Sequence, residues 1–120
     1  MGLAKLVHID DLSFSKYIKA KEIELKIEEI ADAIREDFHD KYPMLLVVMN
    51  GAFIYAADLI RKLDFACELN FIRIKSYHGT RSTGKVDIFM PANIDFKNRH
   101  VIIIEDIIDT GRTLKELKEL

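Results

Sequence analysis

The apolar positions along the chain change period several times, and each change marks an element. From about Ala20 to His39, Ile23, Ile27, Ile30, Ile34 and Phe38 recur at steps of four, three, four and four. That spacing predicts one face of an amphipathic helix, with Lys, Glu, Asp and Arg on the other face. The run K-E-I-E-L-K-I-E-E-I reads as its solvated surface, not as an interaction tail. After Pro43, Met44 to Met49 is continuously apolar, too short for a helix and suited to a strand buried on both sides. Asn50-Gly51 breaks it. Ala52 to Leu63 returns to a helical pattern, with Ile54, Ala57 (or Asp58) and Arg61 spaced around it. Phe65 to Tyr77 alternates loosely, as a strand does, and Val86 to Met90 reads as its returning strand. Between them H-G-T-R-S-T-G-K, residues 78–85, predicts a mobile polar loop. Val101 to Ile104 predicts a second buried strand and Thr113 to Leu120 a helix. Leu6, Val7 and Ile9 predict one short strand near the start.

Short apolar strands separated by amphipathic helices indicate an α/β fold with a mostly parallel sheet flanked by helices. Ligands of such sheets sit beyond the carboxyl ends of the strands. Two places meet that condition: Asn50-Gly51, and the segment from Glu105 onward.

Composition narrows the classes. With 120 residues and 49% apolar content, one domain with a real core over residues 1–120 is expected. A net charge of −2 excludes a global basic field, so no nucleic-acid partner is expected. No apolar run approaches a membrane span, and the N-terminal residues lack the apolar core of a signal peptide. The lone cysteine, Cys67, makes no intrachain disulfide and fits a reducing cytoplasm. It reads as a packed thiol, not a nucleophile.

The strongest chemical signal is V-I-I-I-E-D-I-I-D-T-G-R-T-L, residues 101–114. Adjacent carboxylates, Glu105 and Asp106, end a buried strand, and Asp109 follows. Thr110-Gly111-Arg112-Thr113 then lies where strand gives way to helix. Free backbone N–H groups and the positive end of a helix dipole collect there, Gly111 permits close approach, and two hydroxyls add donors. This is a phosphate cradle, and it is not a P-loop, because the first glycine and the lysine of that motif are absent. Glu105 and Asp106 offer acceptors to sugar hydroxyls or to a hydrated divalent cation. A phosphate at one end and a hydroxylated, metal-bound group at the other match ribose 5-phosphate. The competing reading is a set of helix-capping and loop charges, and the cradle directly after the acids weighs against it.

This segment resembles the phosphoribosyl-pyrophosphate (PRPP) motif of type I phosphoribosyltransferases. Residues 71–84, F-I-R-I-K-S-Y-H-G-T-R-S-T-G, are similar to the strand and flexible loop of the hypoxanthine-guanine branch. Residues 47–59, V-V-M-N-G-A-F-I-Y-A-A-D-L, are similar to its pyrophosphate-binding turn. The resemblance implies that Glu105 and Asp106 bind the ribose hydroxyls, directly or through Mg²⁺. It implies that Asp109 accepts the proton from purine N7. It gives Asp109, Thr110, Gly111, Arg112 and Thr113 to the 5′-phosphate and Asn50 and Gly51 to pyrophosphate. Relatives often carry lysine where this chain has Asn50, and the Asn50-Gly51 turn is implied to hold a non-proline cis peptide. Ser76 and Tyr77 belong to the closing loop. Arg73 is placed near pyrophosphate or a subunit contact, or is a plain strand charge.

The implied activity is purine salvage: phosphoribosyl transfer from PRPP to hypoxanthine or guanine, in a cytoplasmic dimer or tetramer. The family continues for roughly another third of its length, with the groups that read the base. Residues 1–120 are therefore expected to hold the PRPP half-site without the base-reading part, and to be inefficient alone. A truncated product, a remainder on another chain, a fragment and a PRPP-sensing regulatory module stay open.

Overall fold

In the computed structural model, residues 5–76, 86–108 and 111–120 are described. The element order is β1 (Val7–Ile9), β2 (Leu12–Phe14), α1 (Ala20–Phe38), β3 (Met44–Met49), α2 (Phe53–Lys62), β4 (Glu68–Ser76), β5 (Val86–Phe89), β6 (Val101–Ile104) and α3 (Arg112–Lys118). The main sheet runs β5-β4-β3-β6. β3 pairs in parallel with β4 and with β6, and β5 returns antiparallel to β4. This is the α/β, mostly parallel architecture that the alternating pattern predicts.

The central position of β3 explains its unbroken apolar sequence, because side chains on both of its faces must be covered. Leu45 and Val47 point to one face, where they pack with Ile27, Ala31 and Ile34 of α1 and Ala56 and Leu59 of α2. Leu46 and Val48 point to the other, where they meet Ile72 of β4 and Leu117 of α3. The strand thus sits in the middle of three layers, and Leu45 and Val47 have no exposed surface.

Several expectations need correction. The inward face of α2 begins at Ala52 and continues through Ala56 and Leu59, whereas Ile54 is 69% exposed. Steps of four and three put the two alanines and the leucine on one stripe, and the small side chains let the helix lie close to the sheet. Ile23, placed by spacing on the core face of α1, is half-exposed at the outer end, and Ala31 joins the core instead. β4 starts at Glu68, three residues later than the pattern suggested, and α3 starts one residue earlier, at Arg112. Near the start there is a hairpin, not a single strand: Val7 to Ile9 pair with Leu12 to Phe14 across a turn with Asp10 at φ 53°. The predicted loop at residues 78–85 lies outside the described residues.

α1 is tied to the α2–β4 connection through Arg35. Its Nε donates to Asp64 at 2.8 Å and its Nη2 to the Lys62 carbonyl at 2.6 Å. At the same, entry end of the strands, the Arg99 guanidinium pairs with Glu68, joining the entry to β6 to the start of β4. These ties hold the helical layer and the strand entries, and leave the carboxyl ends of β3 and β6 to the loops that follow them.

Candidate phosphoribosyl-pyrophosphate site

The pairing of β3 with β6 ends at Val47↔Ile104, so the chain leaves β6 at Glu105 while β3 continues to Met49. The acidic turn therefore emerges alongside the last residues of β3 and the turn after it. The peptide between Met49 and Asn50 is cis, which places the non-proline cis bond one residue before the Asn50–Gly51 bond. The Phe53 N–H donates to the Asn50 carbonyl at 3.2 Å and closes this turn into α2. β4 contributes a third strand end. Arg73 is paired with Met49, so its backbone lies beside the cis turn.

The two turns touch. A Cβ built on Gly51 would lie 3.1 Å from Oδ2 and 3.4 Å from Oδ1 of Asp106. The structure thus brings Asn50-Gly51 and Glu105-Asp106, 55 residues apart in the chain, to one spot beyond the strand ends. That is where a ligand of a parallel sheet is expected.

Within the acidic turn, the Asp106 N–H donates to Glu105 Oε1 and the Ile107 N–H donates to Asp106 Oδ1, each at 3.0 Å. Both carboxylates are thereby anchored by backbone donors, while Asp106 remains exposed and Glu105 half-buried. Partial burial, and after it the neighbouring Asp106 carboxyl, push the Glu105 carboxyl up to about 7 against the opposing Asp106 N–H. A group held there carries a proton about half the time at neutral pH. An approaching cation or hydroxyl donor favours its ionised form.

Hard oxygen donors of this kind fit Mg²⁺, which binds through one or two carboxylates and keeps its remaining positions for water and phosphate oxygens. Among the described residues no group of three or more His, Cys, Asp or Glu forms a fuller cage. Among the described residues, Glu105 and Asp106 could hold such an ion together with a substrate.

Downstream, Gly111 stands at φ +77° as the residue before α3, and the Lys115 N–H donates to its carbonyl at 3.0 Å. The left-handed backbone there requires glycine at little cost, whereas other residues resist it. Arg112 and Thr113 occupy the first turn of α3. Asp109 and Thr110 lie outside the described residues. So does Tyr77, and of Ser76 only the backbone is described, at the end of β4 paired with Val86. Cys67 packs against the apolar core beneath α1 and α2, and burial raises its thiol above the ordinary range, away from nucleophilic chemistry. The contact between Gly51 and Asp106 escaped sequence reasoning. Nothing in the spacing of the two residues along the chain says that the two turns meet.

Comparison with known proteins agrees with this arrangement. The phosphoribosyl transferase domain family matches residues 13–120. The chain is 38% identical over 104 residues to a hypoxanthine-guanine phosphoribosyltransferase of Lactococcus lactis, covering 86% of this chain and 57% of that protein. It is 41% identical over 101 residues to the enzyme of the same name from Streptococcus mutans, covering 83% and 56%. A crystal structure of a hypoxanthine-guanine phosphoribosyltransferase from Bacillus anthracis superposes with a TM-score of 0.76 at 33% identity, covering 88% of this chain and 61% of that one. The chain spans a little over half the length of these relatives. The chain therefore belongs to the phosphoribosyl transferase domain family, as a type I member similar to the hypoxanthine-guanine enzymes.

Proposed function

We propose that residues 1–120 act as a phosphoribosyltransferase domain that binds PRPP with Mg²⁺ for transfer to a purine base, hypoxanthine or guanine, in cytoplasmic purine salvage. The observation that carries this reading is the meeting of the Asn50-Gly51 turn with Glu105-Asp106 at the carboxyl ends of β3 and β6. Such a juncture suits a ligand with pyrophosphate at one end and a hydroxylated sugar beside it.

In this reading the backbone of Asn50 and Gly51 holds the pyrophosphate, with neutral Asn50 contributing no charge. Glu105 and Asp106 hold the ribose hydroxyls, directly or through the metal. Asp109, Thr110, Gly111, Arg112 and Thr113 fix the 5′-phosphate with backbone and hydroxyl donors. Ser76 and Tyr77 close over the site and keep water from the reacting sugar carbon. The bond between C1 and pyrophosphate breaks with charge developing on the sugar, and base nitrogen N9 forms the new bond to C1. Asp109 takes the proton from N7. Mg²⁺, when bound, neutralises charge on the departing pyrophosphate. The oriented backbone donors contribute the same kind of stabilisation from the protein side. By analogy with its relatives, the domain works within a dimer or tetramer.

Isothermal titration with Mg²⁺ and PRPP tests the binding half of this reading. A spectrophotometric assay with hypoxanthine, guanine and xanthine tests the transfer. Binding without turnover of any base identifies a PRPP-binding module, and a folded protein that binds no PRPP rejects the reading.

A further inference from the structure

The two described glycines of the site are glycine for different reasons. Gly111 has φ +77°, and a Cβ there would meet no atom within 4 Å. Its constraint is the backbone. Gly51 is the reverse case: it is not among the residues with positive φ, so its backbone accepts an L side chain. What a side chain would meet is Asp106, with Oδ2 at 3.1 Å, Oδ1 at 3.4 Å and Cγ at 3.5 Å from the Cβ position. All three nearest atoms belong to that one carboxylate. Contacts of 3.1 Å are tighter than ordinary van der Waals packing, so one of the two groups must give way.

Asp106 is not free to give way without loss. Its Oδ1 already accepts the Ile107 N–H at 3.0 Å, and its own N–H is donated to Glu105 Oε1. Turning the Asp106 carboxylate away from Gly51 breaks the first of these bonds or swings the charge off the strand ends. The carboxylate is therefore held between a backbone donor on its own turn and the bare Cα of the turn after β3.

We infer that Gly51 is a positioning residue: its missing side chain is the seat of the Asp106 carboxylate, so the turn that follows β3 sets where the acidic turn after β6 presents its charge. The inference rests on the PRPP reading for its functional consequence, because the seated carboxylate is the one proposed to hold ribose and metal. It adds a mechanical link between the pyrophosphate and ribose ends of the site. A Cβ on Gly51 would displace that carboxylate by a few tenths of an ångström, shifting the proposed ribose and metal ligand relative to the pyrophosphate turn.

The test is a pair of variants in two backgrounds. Gly51→Ala keeps the backbone N–H and adds only the clashing carbon. Its Mg²⁺-dependent PRPP affinity is expected to fall by about three- to tenfold. In an Asp106→Ala background, where no carboxylate is left to displace, the further loss on adding Gly51→Ala is expected to be clearly smaller than in the wild-type background. A Gly51→Ala protein that binds PRPP as wild type does, or that loses as much in both backgrounds, overturns the inference. If Gly51→Ala fails to fold, thermal unfolding of the double variant decides: recovery by Asp106→Ala supports the seat, and continued failure overturns it. A crystal structure of Gly51→Ala gives a readout independent of PRPP. A displaced Asp106 carboxylate supports the positioning role and an unmoved one overturns it. Wild-type protein that binds no PRPP rejects the proposed function while leaving the crystallographic outcome to decide the positioning.

Discussion

Glu105 offers a measurable conflict between folding and ligand binding. Its carboxyl is raised from an ordinary 4.5 to about 7, first by burial and then by Asp106. Below pH 4.5 the group is protonated in both folded and unfolded chains and contributes nothing to their difference. Between 4.5 and about 7 the unfolded chain has released the proton and the folded chain retains it. Folded protein then binds more protons, so stability falls as pH rises through this window and stays lower above it. At about 1.4 kcal/mol per decade, the full shift corresponds to roughly 3 kcal/mol. Glu105 is only half-buried, and screening by water reduces the expected figure to about 1–2 kcal/mol. Glu105→Gln removes the ionisation and nearly preserves the shape. Urea denaturation of both proteins between pH 4 and pH 8.5 should give equal stabilities at the acid end. At pH 8.5 the variant should be more stable by about 1–2 kcal/mol. Asp64 and Glu68, held low by Arg35 and Arg99, titrate alike in both proteins and cancel in the difference. A difference that does not change with pH, or a wild-type advantage at pH 8.5, refutes the reasoning. The same variant should bind Mg²⁺ and PRPP more weakly, because a site tuned for a cation tolerates repulsion that the fold alone would remove.

Other outcomes follow from individual residues. Asp109→Asn should leave PRPP affinity within about threefold and slow turnover by roughly 10²–10⁴-fold in a steady-state assay; a fall smaller than threefold excludes the proton-accepting role. Gly111→Ala should destabilise by about 1–2 kcal/mol in urea unfolding, through its left-handed backbone and not through a clash, and Gly111→Asn should cost less because Asn tolerates that conformation. Leu45→Ala, which empties a fully buried position between β3 and the helices, should cost about 2–5 kcal/mol. Ile54→Ser on the exposed side of α2 should stay within about 0.5 kcal/mol.

The parts of the fold that sequence made legible are those where one physical demand dominates. β3 and β6 match their predicted bounds because strands covered on both faces need unbroken apolar runs. α1 matches within a residue because its stripe is long. The inward face of α2 was not legible because its core positions, Ala52 and Ala56, are small, while the bulkier Ile54 is exposed. Hydrophobicity alone ranks those residues in the wrong order. The Leu12 to Phe14 strand was missed because all of its residues are exposed and it has no burial pattern to betray it. The acidic turn could be read because carboxylates at the end of an apolar strand demand a partner. Its contact with Gly51 could not, since it depends on strand order and register, and β6 sits beside β3 only after β4 has taken the other side.

The central claim is that the turn after β3 and the acidic turn after β6 together form a Mg²⁺-dependent PRPP site. Isothermal titration of the folded protein with PRPP, in the presence of Mg²⁺ and again with the metal chelated, tests it most directly. The account predicts saturable binding with Mg²⁺ and a marked loss of affinity without it. No binding in either condition, or equal binding in both, would contradict it.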